Sequence, residues 1–188
     1  MAASENLYFI ALIPQKELQE AITAYKIDFA ERFDSKAALK VVPHITLKAP
    51  FTLPQNQHQL LIQWFPGLNI NSGRFNIELK DFGCFFSKYH PIIFINPVTN
   101  TTLYEMQKEI ITSFKNNCPG KTHPVDLKFV PHITVAYRDL TPAKFSEAWK
   151  EYHHKKYHAL FEVNCIYLLQ HDGTQWNVIS TYPLETGD

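Results

Sequence analysis

The pentapeptide Pro43-His44-Ile45-Thr46-Leu47 occurs a second time as Pro131-His132-Ile133-Thr134-Val135, each copy preceded by a valine, Val42 or Val130. The two histidines are 88 positions apart (44 to 132). Both copies alternate aliphatic and polar residues, the pattern of a half-buried strand. On a strand, residues i and i+2 share a face and lie about 6.6–6.8 Å apart along it. His44 and Thr46 therefore point one way and Ile45 and Leu47 the other, and His132, Thr134, Ile133 and Val135 repeat the arrangement. Each copy presents one imidazole and one hydroxyl on the polar side of an otherwise apolar strand.

With 188 residues, 45% of them hydrophobic and 14% aromatic, the chain can bury a core as one domain or as two lobes sharing one. Lysine plus arginine equals aspartate plus glutamate at 18 each, a balance that argues against sequence-independent binding of long nucleic acid. It leaves room for an RNA end or a small nucleotide in a local basic pocket. Three widely spaced cysteines, Cys84, Cys118 and Cys165, form no CxxC pair and fit a reducing cytoplasm. Neither a signal peptide nor an apolar run near the ~20 residues of a membrane helix is read. The expectation is a cytoplasmic monomer without a membrane partner.

The spacing of apolar residues predicts an ordered series. A buried strand runs from Leu7 to Ile13 and a helix from Gln15 to about Phe33. The first His-Thr strand covers His44 to Leu53, a short helix Asn56 to Phe65, and a further strand is centred on Phe75, Ile77 and Leu79. Asp81 to Pro91 reads as a hairpin or loop. Ile92 to Ile95 is again a buried strand and Thr101 to about Asn117 a helix, followed by a polar loop from Lys121 to Lys128 and the second His-Thr strand. Thr141 caps a helix whose first residue is Pro142. Phe161 to Leu169 and Trp176 to Tyr182 read as strands joined at Asp172-Gly173.

Both halves thus repeat strand, helix, His-Thr strand, with approximate repeats 7–90 and 91–182 in a single two-lobed domain, 1–188. The fold class predicted is α+β: a pseudo-twofold duplicated fold with two antiparallel-rich sheets around a central cleft and helices outside. The final strands are free to cross between lobes. In such a fold the two His-Thr strands face one cleft.

Histidine titrates near neutrality, so one imidazole can take a proton while another gives one. Two imidazoles in one cleft oppose double protonation, which splits their titration. The threonine hydroxyls can donate to the non-bridging oxygens of a phosphate as charge builds. Base, acid and two oxyanion donors form a complete set for in-line phosphodiester cleavage, with His44, Thr46, His132 and Thr134 as the catalytic candidates. Pseudo-symmetry leaves open which histidine is the acid and which the base.

These paired motifs, each a His-x-Thr followed by an apolar residue, resemble those of the two-histidine phosphoesterase superfamily, which contains 2′-5′ RNA ligase-like proteins and phosphodiesterases for 2′,3′-cyclic phosphates. The resemblance runs from Leu7 to near Tyr182. It implies a bilobal α+β fold and metal-independent chemistry without a cofactor, acting on 2′,3′-cyclic phosphates or 2′-5′ phosphodiesters of RNA ends or small nucleotides. The ligase reaction is the same chemistry reversed. A non-catalytic RNA- or nucleotide-binding module, or a phosphoesterase for a non-RNA cyclic phosphate, are the alternatives. The family's loop beside the cleft often carries arginines; here it reads Ser87-Lys88-Tyr89-His90-Pro91.

Strand parity extends the substrate-binding candidates to Lys48 and Arg138, which share the histidine face if neither strand bulges. Lys88 is the nearest substitute for the loop arginines. Tyr89 and Tyr137, with Phe51 and Phe85, are candidates for stacking a base. The His153-His154-Lys155-Lys156 run and His158 read as an exposed basic connector, and no metal site is expected.

Overall fold

The structure is a computed structural model describing residues 5–186. Eight strands form one sheet in the order β6-β3-β4-β5-β2-β1-β7-β8. They are β1 (Glu5–Leu12), β2 (Ile45–Pro54), β3 (Phe75–Phe85), β4 (Ile92–Pro97), β5 (Ile133–Ala136), β6 (His158–Val163), β7 (Cys165–His171) and β8 (Trp176–Pro183). Helices α1 (Lys16–Phe33), α2 (His58–Trp64), α3 (Thr101–Asn117), α4 (Pro124–Leu127) and α5 (Pro142–Tyr152) lie between them. Every strand pair is antiparallel.

The sheet order is a palindrome of equivalent strands. β2 and β5, which follow the two histidines, meet at the centre through a single residue pair, Ile45 with Ile133. Outward from them β1 answers β4, β7 answers β3, and β8 answers β6. The matching is residue by residue: Ala11 pairs with Thr46 as Phe94 pairs with Thr134, and Leu12 with Ile45 as Ile95 with Ile133.

The spatial halves exchange strands. β3 belongs to the first sequence repeat but pairs with β4, and β7 and β8 of the second repeat extend the sheet from β1. The stretch expected as one strand, Phe161 to Leu169, is accordingly two, broken at Asn164, where the chain leaves the β3 edge to join β1. The two ends of the sheet curl toward each other there. Leu184 N donates to the Asn164 carbonyl at 2.9 Å, and Arg74 N to the Glu185 carbonyl at 2.9 Å. A second correction concerns Asp81 to Pro91. β3 continues through its first half to Phe85 by way of an irregularity at Asp81, whose φ of 58° is held by bonds from Lys156 Nζ and Tyr157 N.

One face of the sheet carries the helices and the main core. Ile45, Leu47, Ile133 and Val135 point into it with Leu18, Ile22, Leu103 and Ile110. The other face holds a smaller cluster around Phe9, Ala11 and Leu169, with Val41 and Trp176 packed against it. The period-two alternation of the motifs sorts the chemistry: aliphatic residues lie under the helices, and the imidazoles and hydroxyls line the open face.

Thr141 caps α5 by accepting from Lys144 N, with Pro142 at the first position as expected. Gly83 has a different task. A Cβ there would stand 2.5 Å from Phe94 Cε2, and the Phe94 ring in turn packs 5.4 Å from the His132 ring. Gly83→Ala is therefore expected to cost about 1–3 kcal/mol by overpacking. Urea denaturation checks the loss, and a disturbed His132 signal in NMR shows Phe94 displaced.

Candidate active site

His44 and His132 end the segments leading into β2 and β5, and each ring is tied back to its own chain. His44 Nδ1 lies 2.7 Å from the Val42 carbonyl, and His132 Nδ1 lies 2.7 Å from the Val130 carbonyl. A carbonyl oxygen only accepts, so in both rings Nδ1 carries the hydrogen. Nε2 is left as the nitrogen that exchanges protons with the cleft. The neutral ring presents a lone pair there and the charged ring an N–H.

Both rings, with Thr46 and Thr134, line a single cleft of about 200 Å³. The four predicted catalytic residues are brought together. Aromatic rings fix the imidazoles from the sides: Phe9 against His44 at 4.9 Å, and Phe85 and Phe94 against His132 at 5.1 and 5.4 Å. These apolar surroundings disfavour the imidazolium. Burial pushes His44 down to about 4, opposed by the Val42 carbonyl and aided by the charges of Lys26 and His132. Burial also lowers His132, against the Val130 carbonyl. A phosphate anion entering the cleft supplies the charge that favours protonation.

Tyr137 and Arg138 line the same cleft. Arg138 arrives there although β5 bulges, because its own backbone turns left-handed with a φ of 60°. Lys48 does not arrive, which overturns its reading as a substrate ligand. One residue of β1 spans two of β2: Ile10 pairs with Lys48 and Ala11 with Thr46. The bulge turns Leu47 and Lys48 together toward the helix-covered core, where Lys48 is 0% exposed. Its ammonium lies 3.0 Å from Asp126 Oδ2 and about 5 Å from the Phe51 and Phe114 rings (5.0 and 4.9 Å). β5 bulges at the matching place, Ile93 with Ala136 and Phe94 with Thr134, but there the turned residue is an alanine.

Lys88 and Tyr89 occupy the exposed loop between β3 and β4, with the ammonium 5.4 Å from the tyrosine ring. They stand outside the cleft lining. Phe51 is a core residue and Phe85 a support for His132, so neither offers a face to a base. Of the lining residues that sequence reasoning missed, two are aromatic. Phe9 on β1 and Trp176 on β8 meet edge to face at 4.5 Å beside His44. The only sequence signal for Phe9 was its place in an apolar strand, and that of Trp176 was no better.

The model of the 2′-5′ RNA ligase superfamily matches residues 14–175. The chain belongs to that superfamily. Its curated relatives include proteins provisionally named phosphoesterases. One from Bacillus cytotoxicus is 27% identical over 182 residues, 95% of this chain and 96% of its own length. Another from Geobacillus kaustophilus is 26% identical over 176 residues, covering 93% and 94%. Among solved structures, Escherichia coli LigT complexed with 3′-AMP superposes with a TM-score of 0.67 at 17% identity, over 97% of this chain and 100% of that one. A Thermus thermophilus protein gives 0.67 at 15% identity, over 97% and 100%. These structures share the 2′-5′ RNA ligase fold described above, and the resemblance drawn from the paired motifs is borne out. Among the described residues, no helix is long and apolar enough to cross a membrane.

Proposed function

We propose that this member of the superfamily is a phosphodiesterase that opens 2′,3′-cyclic phosphates or 2′-5′ phosphodiesters of RNA ends or small nucleotides. His44 and His132 act as the proton-transferring pair. The observation that carries this is the like-for-like mounting of the two imidazoles. Each gives Nδ1–H to the carbonyl two residues back and keeps Nε2 for the cleft that both line.

In the reaction, the oxygen of a water attacks phosphorus and its proton passes to Nε2 of the neutral imidazole. The bond from phosphorus to the ribose oxygen breaks, and that oxygen takes a proton from Nε2 of the charged imidazole. A phosphomonoester with a free neighbouring hydroxyl results. Thr46 and Thr134 donate to the non-bridging oxygens as the phosphorane forms, and the Arg138 guanidinium adds charge at the cleft wall. With the 5′-hydroxyl of another ribose attacking in place of water, the same steps open a 2′,3′-cyclic phosphate at its 3′ oxygen and join a 2′-5′ bond. The binding of 3′-AMP and ATP by LigT is in keeping with a small nucleotide as ligand. So is the even charge balance, 18 cationic against 18 acidic residues.

The test is incubation with 2′,3′-cyclic AMP and a 2′-5′-linked dinucleotide, with and without EDTA. Turnover unaffected by EDTA is expected; binding without turnover supports the binding module, and loss rescued by Zn²⁺ or Mn²⁺ a metal hydrolase. The pH profile of kcat/KM is expected to be bell-shaped and to peak below 6.5. Both limbs report the free enzyme, where His44 sits at about 4 and His132 is also pushed below its ordinary value. The rate rises as the first ring loses its proton and falls as the second does. Anionic substrate raises both rings, so the kcat profile should lie at higher pH.

A further inference from the structure

A further inequality between the two halves of the site lies behind His44. Lys26, in the middle of α1, is 1% exposed, and its ammonium donates to the Val41 carbonyl at 2.9 Å. The next carbonyl along, Val42, is the one that holds His44 Nδ1–H. One buried cation thus grips the peptide segment from which the His44 ring hangs. Its charge also acts on that ring. The opposite ring, His132, answers to burial and to the Val130 carbonyl, and no lysine acts on it among the described residues.

A lysine buried without a carboxylate is costly, and burial is the cause that brings this one down to about 8. It stays charged at neutrality, with one carbonyl as its hydrogen-bond partner and none of the described salt bridges involving it. Nothing in the packing of α1 requires a charge at this position. Its neighbours along the buried stripe are Leu18, Ile22, Phe29 and Phe33.

We propose that Lys26 is a positioning residue that breaks the symmetry of the pair: it anchors the Val41–Val42 segment and keeps His44 the unprotonated member, leaving His132 to carry the proton. His44 is then the base that takes the proton of the attacking group, and His132 the acid. Other charged or titratable groups near His44 are His132 across the cleft, Arg138 on the cleft wall after β5, and His171 on β7 behind Trp176. Of these, His132 repels an imidazolium as Lys26 does, and both it and Arg138 line the cleft that substrate enters. Lys26 acts from beneath, whether or not substrate is bound.

The assignment of base and acid rests on the phosphodiesterase reading; the hold of Lys26 on His44 does not. Two measurements on the full chain separate them. The first is NMR titration of both histidine rings, without substrate, in the wild type, Lys26→Met and Lys26→Arg. In Lys26→Met the His44 midpoint should rise by at least half a pH unit while that of His132 stays, and Lys26→Arg, which keeps the charge, should leave His44 near its wild-type value. An unmoved His44 in folded Lys26→Met overturns the proposal, as does an equal movement of both rings.

The second is the pH profile of kcat/KM on 2′,3′-cyclic AMP. If His44 is the base, the acid limb of Lys26→Met moves up with the NMR midpoint and the peak stays or falls. If His44 were the acid, the productive state would be a minority form. The same shift would then enlarge it, and the peak would rise in proportion, about tenfold per pH unit. A rising peak therefore overturns the assignment. Absence of any turnover by the wild type sinks the phosphodiesterase reading instead, and the titration still judges Lys26.

Discussion

His44→Ala and His132→Ala are each expected to lower turnover of a 2′,3′-cyclic nucleotide by about 10²–10⁴-fold, the usual contribution of one proton-transferring side chain. The loss should fall mainly on kcat. Each ring moves a proton in the transition state, whereas binding of the ground-state phosphate also draws on Thr46, Thr134 and Arg138, which all line the cleft. The double variant should lose far less than the product of the single losses, because the rings serve one concerted event and the second removal finds little left to remove. Neither change should unfold the chain. Both rings sit on the open face of the sheet, away from the core under the helices, and are half-buried. Steady-state kinetics beside circular dichroism checks this. Retention of near wild-type turnover by either single variant in a folded protein would exclude the pair as acid and base.

That these four residues meet was readable in the chain because the motif is local and repeated. Period-two alternation puts His44 with Thr46 and His132 with Thr134, and duplication puts the two units in equivalent places around β2 and β5. Helix α3, expected from Thr101 to about Asn117 and observed as Thr101–Asn117, was legible since its apolar stripe is regular and Cys118-Pro119-Gly120 ends it. Lys48 was misread because a bulge leaves no mark in the residues that form it. The Leu47 carbonyl that the bulge turns out of the ladder is satisfied by Gln107, 60 positions away. Arg138 lines the cleft, but not by parity alone: β5 bulges before it, and its own backbone is left-handed. Trp176 reaches His44 through β1 and β7, and no local pattern encodes that route. The unbroken strand expected from Phe161 to Leu169 failed similarly, for the strand crossing at Asn164 depends on how the whole sheet closes.

The largest loss of stability is expected from Asp126→Ala. Asp126 is 4% exposed; its carboxylate joins three partners and its backbone carbonyl a fourth. Oδ2 lies 3.0 Å from the Lys48 ammonium and accepts from His123 N at 2.7 Å; Oδ1 accepts from Ala49 N at 2.9 Å; and the residue's own carbonyl takes the Gln107 amide at 2.8 Å. Two of these contacts, from Lys48 and Ala49, hold the bulge of β2 against α4 immediately after Thr46, and Gln107 on α3, which also donates to the Leu47 carbonyl, ties the same stretch to α3. Removing the carboxylate leaves the Lys48 ammonium buried with only the Ala49 carbonyl at 2.9 Å and the faces of Phe51 and Phe114. Stranding one half of a buried ion pair costs about 3–5 kcal/mol, more than the net worth of the pair, because the desolvation of the remaining charge is no longer offset. Lys48→Met should cost less. It also leaves a charge unpaired, but that carboxylate keeps both backbone N–H donors, and methionine fills the apolar slot between the two rings. Lys48→Met with Asp126→Asn should recover part of the loss, since no charge remains and the amide oxygen still accepts from one backbone donor. Chemical denaturation of the three variants gives the order. Equal losses for Asp126→Ala and Lys48→Met would mean that the backbone bonds to Asp126 contribute little, and that the bulge beside Thr46 is held by packing alone.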